Sequence, residues 1–125
     1  MADMACILLI EDDIQLQKMY HQMLTNEGHD VQKASNGEEG INRFYETPAD
    51  LVITDIVMPE KSGLDTISEL KNAYPEVKII AMSGGNRTGN KLLRMAQSLG
   101  AQRILRKPFS RAELISAVEA VLKQR

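Results

Sequence analysis

The sequence predicts an α/β fold: an open, five-stranded parallel sheet in the order 2-1-3-4-5, with helices on both faces. Three observations predict it. Short apolar runs alternate five times with segments of helical period, as consecutive βα units require. Five units are too few to close a barrel. The first, third and fourth strands are apolar and belong in the middle of the sheet, whereas the second and fifth are polar and belong at its edges. A chain of 125 residues is enough for one domain with its own core.

The elements follow in order. Cys6 to Ile10 is a continuous apolar run, the mark of a strand buried on both faces. Leu16, Met19, Tyr20, Met23 and Leu24 then recur at three and four, giving a helix that Gly28 stops. Asp30 to Ala34 is a polar strand. Ser35-Asn36-Gly37-Glu38 offers a capping box for a helix with Ile41, Phe44 and Tyr45 inward. Leu51 to Thr54 is the third strand. Ser62 and Asp65 start a helix with Leu64, Ile67, Leu70 and Tyr74 on one face, ended by Pro75. Val77 to Met82 is the fourth strand, and the helix after it turns Leu92, Ala96 and Leu99 inward before Gly100. Arg103 to Arg106 is the fifth strand. Ser110-Arg111-Ala112-Glu113 caps a last helix with Leu114, Val118, Val121 and Leu122 inward. The strand order is the flavodoxin-like one.

Composition excludes several classes. One cysteine allows no internal disulfide, and Cys6 reads as a packing residue of a buried strand. The longest apolar run, Ala5 to Ile10, is far short of a membrane span, and no export signal precedes it, so a cytoplasmic protein without a membrane partner is expected. Residues 1–85 carry 15 acidic and 6 basic side chains, and residues 86–125 carry 2 and 9. The last third is therefore a basic surface, read from charge alone first as a solvated face of mixed purpose and second as a surface for an acidic partner. No basic cluster is interleaved with aromatics, so no nucleic-acid partner is expected. His21 and His29 are too isolated for a metal site, and Met82 and Met95 read as core filler.

In such a sheet a ligand sits beyond the C-terminal strand ends, at the switch point between strands 1 and 3. Those ends are Glu11-Asp12-Asp13, Asp55, Ser83-Gly84-Gly85 and Lys107-Pro108. Clustered carboxylates stay ionised only if a charge compensates them. Mg²⁺, which prefers oxygen ligands, is the natural compensation. A central carboxylate, a divalent ion, a lysine and a hydroxyl are what phosphoryl transfer to an aspartate requires. Asp55 is the central carboxylate. Asp13 reads instead as the cap of the first helix.

From end to end the chain resembles the receiver domain of two-component response regulators. The resemblance rests on Ile7-Leu8-Leu9-Ile10-Glu11-Asp12-Asp13, on Asp50-Leu51-Val52-Ile53-Thr54-Asp55 with Met58-Pro59 and Gly63, on Met82-Ser83-Gly84, and on Lys107-Pro108-Phe109. It implies that Asp55 is the phosphoacceptor, and that Asp12 binds Mg²⁺ directly with Glu11 acting largely through water. The backbone carbonyl of Val57 is implied as a further ligand. Ser83 is implied as the switch hydroxyl and Lys107 as the partner of a phosphoryl oxygen, with a cis Lys107–Pro108 bond. Gly63 is implied to permit the turn after the phosphorylation loop. The implied donor is a histidine kinase or histidine phosphotransfer protein. The implied output is a partner protein at the helix 4–strand 5–helix 5 face. Residues 1–125 are expected to form one receiver domain without an output domain, with no enzymatic turnover of external substrates.

The chain also departs from that pattern. Ile104 stands where the family usually has an aromatic switch. Gly84 and Gly85 follow Ser83 and should loosen the loop. Neither Val57 nor Gly85 offers a polar side chain to position a hydrolytic water. A phosphatase of the haloacid dehalogenase type would need an acid two residues after Asp55, where Val57 stands. A P-loop would need Lys where Asn90 stands, and the acidic rim would repel a flavin phosphate. A phosphate-independent interaction module is the remaining alternative, supported only by Ile104.

Overall fold

The computed structural model describes residues 4–84 and 86–124. Its elements are β1 (Cys6–Ile10), α1 (Ile14–Asn26), β2 (Asp30–Ala34), α2 (Gly37–Glu46), β3 (Leu51–Asp55), α3 (Gly63–Ala73), β4 (Ile79–Gly84), α4 (Arg87–Ser98), β5 (Arg103–Lys107) and α5 (Arg111–Leu122). The sheet is parallel throughout and runs β2-β1-β3-β4-β5. The polar strands β2 and β5 are its edges.

Side chains alternate across a strand, so each central strand feeds two cores. Ile7, Leu9, Leu51, Ile53, Ile80, Met82 and Leu105 pack against Tyr20 and Leu24 of α1 and Leu114, Val118 and Val121 of α5. Leu8, Ile10, Val52, Ile79 and Ala81 pack on the other face, against Ile41 and Phe44 of α2, Ile67 and Leu70 of α3, and Leu93 and Ala96 of α4. Strands covered on both faces read as unbroken apolar runs for this reason.

Most helix ends lie where their caps predict. Asp13 accepts from the Leu16 amide, Ser62 from the Asp65 amide, and Ser110 and Glu113 form a full capping box. Gly28 and Gly100 take positive φ after α1 and α4. The α2 cap is shifted by one residue. Asn36, not Ser35, caps the helix by accepting from the Glu39 amide, and Glu39, not Glu38, reaches back to the Ser35 amide.

Other details differ from expectation. The third, fourth and fifth strands end one or two residues later, taking in Asp55, Ser83 with Gly84, and Lys107. The fourth starts at Ile79, because the Val77 amide closes a turn onto Tyr74 after Pro75. Met19, Tyr45, Tyr74, Met95 and Leu99 are exposed, since each lies at the margin of its helix's apolar arc. Cys6 is exposed as well, at the first position of β1. His29 is buried, and its Nδ1 accepts the Ala5 amide at 3.2 Å. Gly85, expected to loosen the loop after β4, and Arg125 lie outside the described residues.

Candidate functional site

The alternation that builds the α1/α5 core also builds the site. Glu11 follows Leu9 by two residues, Asp55 follows Ile53, and Lys107 follows Leu105. All three therefore continue the same inward-facing rows to the C-terminal edge of the sheet. Ser83, next to Met82, belongs to the opposite row and approaches the rim from the α4 side. The registers Ile10↔Thr54, Asp55↔Met82 and Gly84↔Lys107 bring these ends level.

Lys107 joins the two buried carboxylates. Its Nζ donates to Glu11 Oε1 at 2.7 Å and to Asp55 Oδ2 at 3.1 Å. Glu11 is 0% and Asp55 7% exposed, so the lysine screens charges that water cannot reach. Carboxylate oxygens of Glu11, Asp12 and Asp55 lie within 4.8 Å of one another. Asp12 is the most solvent-open of the three. The Glu11 backbone is fixed as well. Its amide donates to the Ala34 carbonyl, and its carbonyl accepts from Gln17 Nε2 at 3.0 Å.

Burial pushes the Glu11 carboxyl up, to about 7; Lys107 pulls it down and the Asp55 charge adds to the rise. Burial works against the Lys107 ammonium too, but the hydrogen bonds and charges of Glu11 and Asp55 outweigh it, and its pKa stands above the ordinary lysine value. The site is thus short of positive charge despite the lysine.

The loop after β3 is held tightly to the strand end. The Gly63 amide donates to the Ile56 carbonyl at 2.8 Å. A Cβ on Gly63 would run into the Asp55 carbonyl and the Ile56 Cα. Close approach, not a positive φ, is what requires glycine here. Val57 points its side chain into solvent, 62% exposed. Ser83 is buried within β4. The Lys107–Pro108 peptide is cis. Ile104 is partly buried against the α2/α3/α4 core.

The family model of the response regulator receiver domain matches residues 7–119. The chain belongs to this family. It is 30% identical to the chemotaxis protein CheY of Thermotoga maritima over 118 residues, covering 94% of this chain and 97% of that one. It is 36% identical to the DNA-binding transcriptional regulator NtrC of Azospirillum brasilense, covering 94% of this chain but 24% of the regulator. A receiver domain protein of Clostridium thermocellum superposes with a TM-score of 0.87 at 32% identity, covering 95% and 94% of the two chains. The chain spans about a quarter to a half of the transcriptional regulators it matches. As a receiver domain it has the make-up of a phosphorylation-dependent switch of two-component signalling.

Receiver domains as a family bind Mg²⁺ in an acidic pocket, and this cluster fits such an ion. Three carboxylates converge at the rim, one of them open to solvent, and the only donors among them are oxygens, as Mg²⁺ prefers. A divalent cation would offset the burial that raises Glu11 and the Asp55 charge that adds to it.

Glu11, Asp12, Asp55, Ser83 and Lys107 all come to one rim, while Asp13 is spent on the α1 cap. Gln17 escaped the sequence, and Tyr20 was read there only as part of a helix face. Gln17 is buried, and its amide bridges the Glu11 and Ala34 carbonyls. Tyr20 is buried and stacks on Phe109. Gln17 stands three residues before Tyr20 on the inward face of α1, a spacing that could have found it. An amide on a helix usually marks the solvent side, and that masked it.

Proposed function

We propose that Asp55 accepts a phosphoryl group from the phosphohistidine of a histidine kinase or histidine phosphotransfer protein. The observation that carries this is the paired contact of Lys107 with Asp55 and Glu11 inside the carboxylate cluster. An Asp55 carboxylate oxygen attacks phosphorus, the P–N bond breaks, and the imidazole leaves with the bonding pair. Water later hydrolyses the acyl phosphate and restores Asp55. Mg²⁺, held by Glu11, Asp12, Asp55 and the Val57 carbonyl, would neutralise charge on the transferring group. Lys107 exchanges its bond to Asp55 for one to a phosphoryl oxygen, and Ser83 donates to another. The chain turns over no external substrate in this reading.

Phosphorylation adds a charge of about −1.5 to −2 and three acceptor oxygens. Ser83 lies in the row facing α4, so its new bond draws on the start of that helix. The basic α4–β5–α5 face then changes its arrangement toward an output protein. Ile104, packed into the core, offers no ring to rotate, so the coupling runs through α4. Among the described residues no helix is long and apolar enough to cross a membrane, and a cytoplasmic location accords with the proposed donors.

Beryllofluoride with Mg²⁺ tests this reading, because it occupies an aspartate as a phosphoryl group does. The amide resonances of Ser83, Lys107 and α4 should shift, and Asp55→Asn should abolish the shifts. An unchanged spectrum for the unmodified chain would refute it.

A further inference from the structure

The geometry points to Tyr20 as a positioning residue for Lys107, acting through the stacked Tyr20–Phe109 pair. The inference rests on the phosphoryl-acceptor reading but goes beyond it, since Tyr20 touches none of the reacting groups.

Lys107 is the last residue of β5, and the chain leaves the sheet there. On its strand side it is fixed by pairing with Gly84. On its other side Pro108 and Phe109 cross to the cap of α5 at Ser110. Phe109 therefore sets where that short crossing lies. Its ring stacks on Tyr20, with centroids 5.0 Å apart and planes 22° from parallel. Tyr20 is 3% exposed, wedged in the α1/α5 core with Leu9, Leu105 and Leu114. Phe109 packs on the same cluster. The anchor is thus a rigid helix, one layer beneath the row that ends in Lys107. A ring gives a broad contact with only two side-chain torsions to fix, which suits it to hold a loop.

The location bears on chemistry because Lys107 reaches two carboxylates at once, at 2.7 and 3.1 Å. A crossing free to shift by an ångström would break one of these contacts. The Tyr20 hydroxyl also lies within the field of Lys107, Glu11 and Asp55, and burial raises its pKa. It therefore stays neutral beside the site and adds no charge. The ring, not the hydroxyl, is the working part.

The test compares Tyr20→Leu, Tyr20→Phe and Val121→Ala in the full chain. Val121 belongs to the same core and is remote from the crossing in sequence, so it controls for general loosening. Two quantities are read: the Cε resonance of Lys107, and the rate of phosphoryl adduct formation from acetyl phosphate with Mg²⁺. Tyr20→Leu should move the Lys107 resonance toward that of a free lysine and slow the adduct about tenfold, within the cost of an ångström's misplacement. Tyr20→Phe should restore both. Val121→Ala should lower the melting temperature and leave the resonance in place. An unmoved Lys107 resonance in Tyr20→Leu would overturn the inference. So would a Tyr20→Phe variant as impaired as the leucine, or a Val121→Ala variant that moves Lys107 equally. If the unmodified chain forms no adduct, the phosphoryl reading fails, while the resonance still decides the positioning role.

Discussion

Glu11 is the residue whose protonation the fold alters most visibly. Its carboxyl is raised to about 7 by burial, against an ordinary value of 4.5. The folded, metal-free chain therefore holds this proton more tightly than the unfolded chain does. The stability linked to it is fully present below the ordinary value and is lost as pH rises through the raised one. Metal binding has the opposite slope, because a divalent ion must displace the proton. Calorimetric titration should show Mg²⁺ binding weakening as pH falls below about 7, by up to about tenfold per unit. Glu11→Gln should flatten that dependence. The places of Glu11, Asp55 and Lys107 were legible because strand ends in a parallel sheet are marked places, where an acid or a lysine faces the ligand crevice instead of the core. The supporting residues were less so. Gln17 and Tyr20 sit inside a helix, where an amide reads as surface and an aromatic ring reads as core.

At the scale of elements, the join between β3 and α3 shows how packing fixes Asp55, the proposed acceptor. The first residue of α3 lies against the backbone of Asp55 itself. Gly63→Ala should force that contact apart and destabilise the chain by about 1–3 kcal/mol. The urea midpoint, followed by circular dichroism because the chain has no tryptophan, reads this loss. Adduct formation should slow as well, since the displaced atoms belong to Asp55 and its neighbour. Element identity and order followed from apolar runs and caps, whose local physics is strong. Boundaries did not, because ladder pairing decides them: Val77 is apolar yet closes a turn, and Asp55 is polar yet ends a ladder. The inward faces were drawn too wide, as exposed Met19 and Leu99 show, because a helix buries only the stripe that meets the sheet.

For the whole molecule, the charge asymmetry of the sequence becomes spatial. The basic last third forms α4, β5 and α5, at the end of the sheet that β5 edges. Part of that charge is already engaged: Arg111 pairs with Glu27, just past the end of α1, at 2.8 Å, and Arg106 with Asn90 of α4 at 2.7 Å. Arg94 stands exposed on α4. Charge reversal at Arg94 should weaken an acidic output partner about tenfold and leave adduct formation unchanged, whereas reversal at Arg111 also removes its tie to Glu27. Calorimetry with the partner and mass spectrometry of the adduct separate the two effects. The edges of the sheet were legible from strand polarity, because edge strands tolerate polar residues that buried ones do not, and the flavodoxin-like order met that pattern.

Whether Asp55 is a metal-dependent phosphoryl acceptor is decided by the intact mass of the chain after incubation with acetyl phosphate and Mg²⁺. The metal-free reaction and Asp55→Asn are run beside it. A single phosphoryl adduct that requires both Asp55 and Mg²⁺ is expected. No adduct on the unmodified chain, or an adduct that persists in Asp55→Asn, would contradict the assignment.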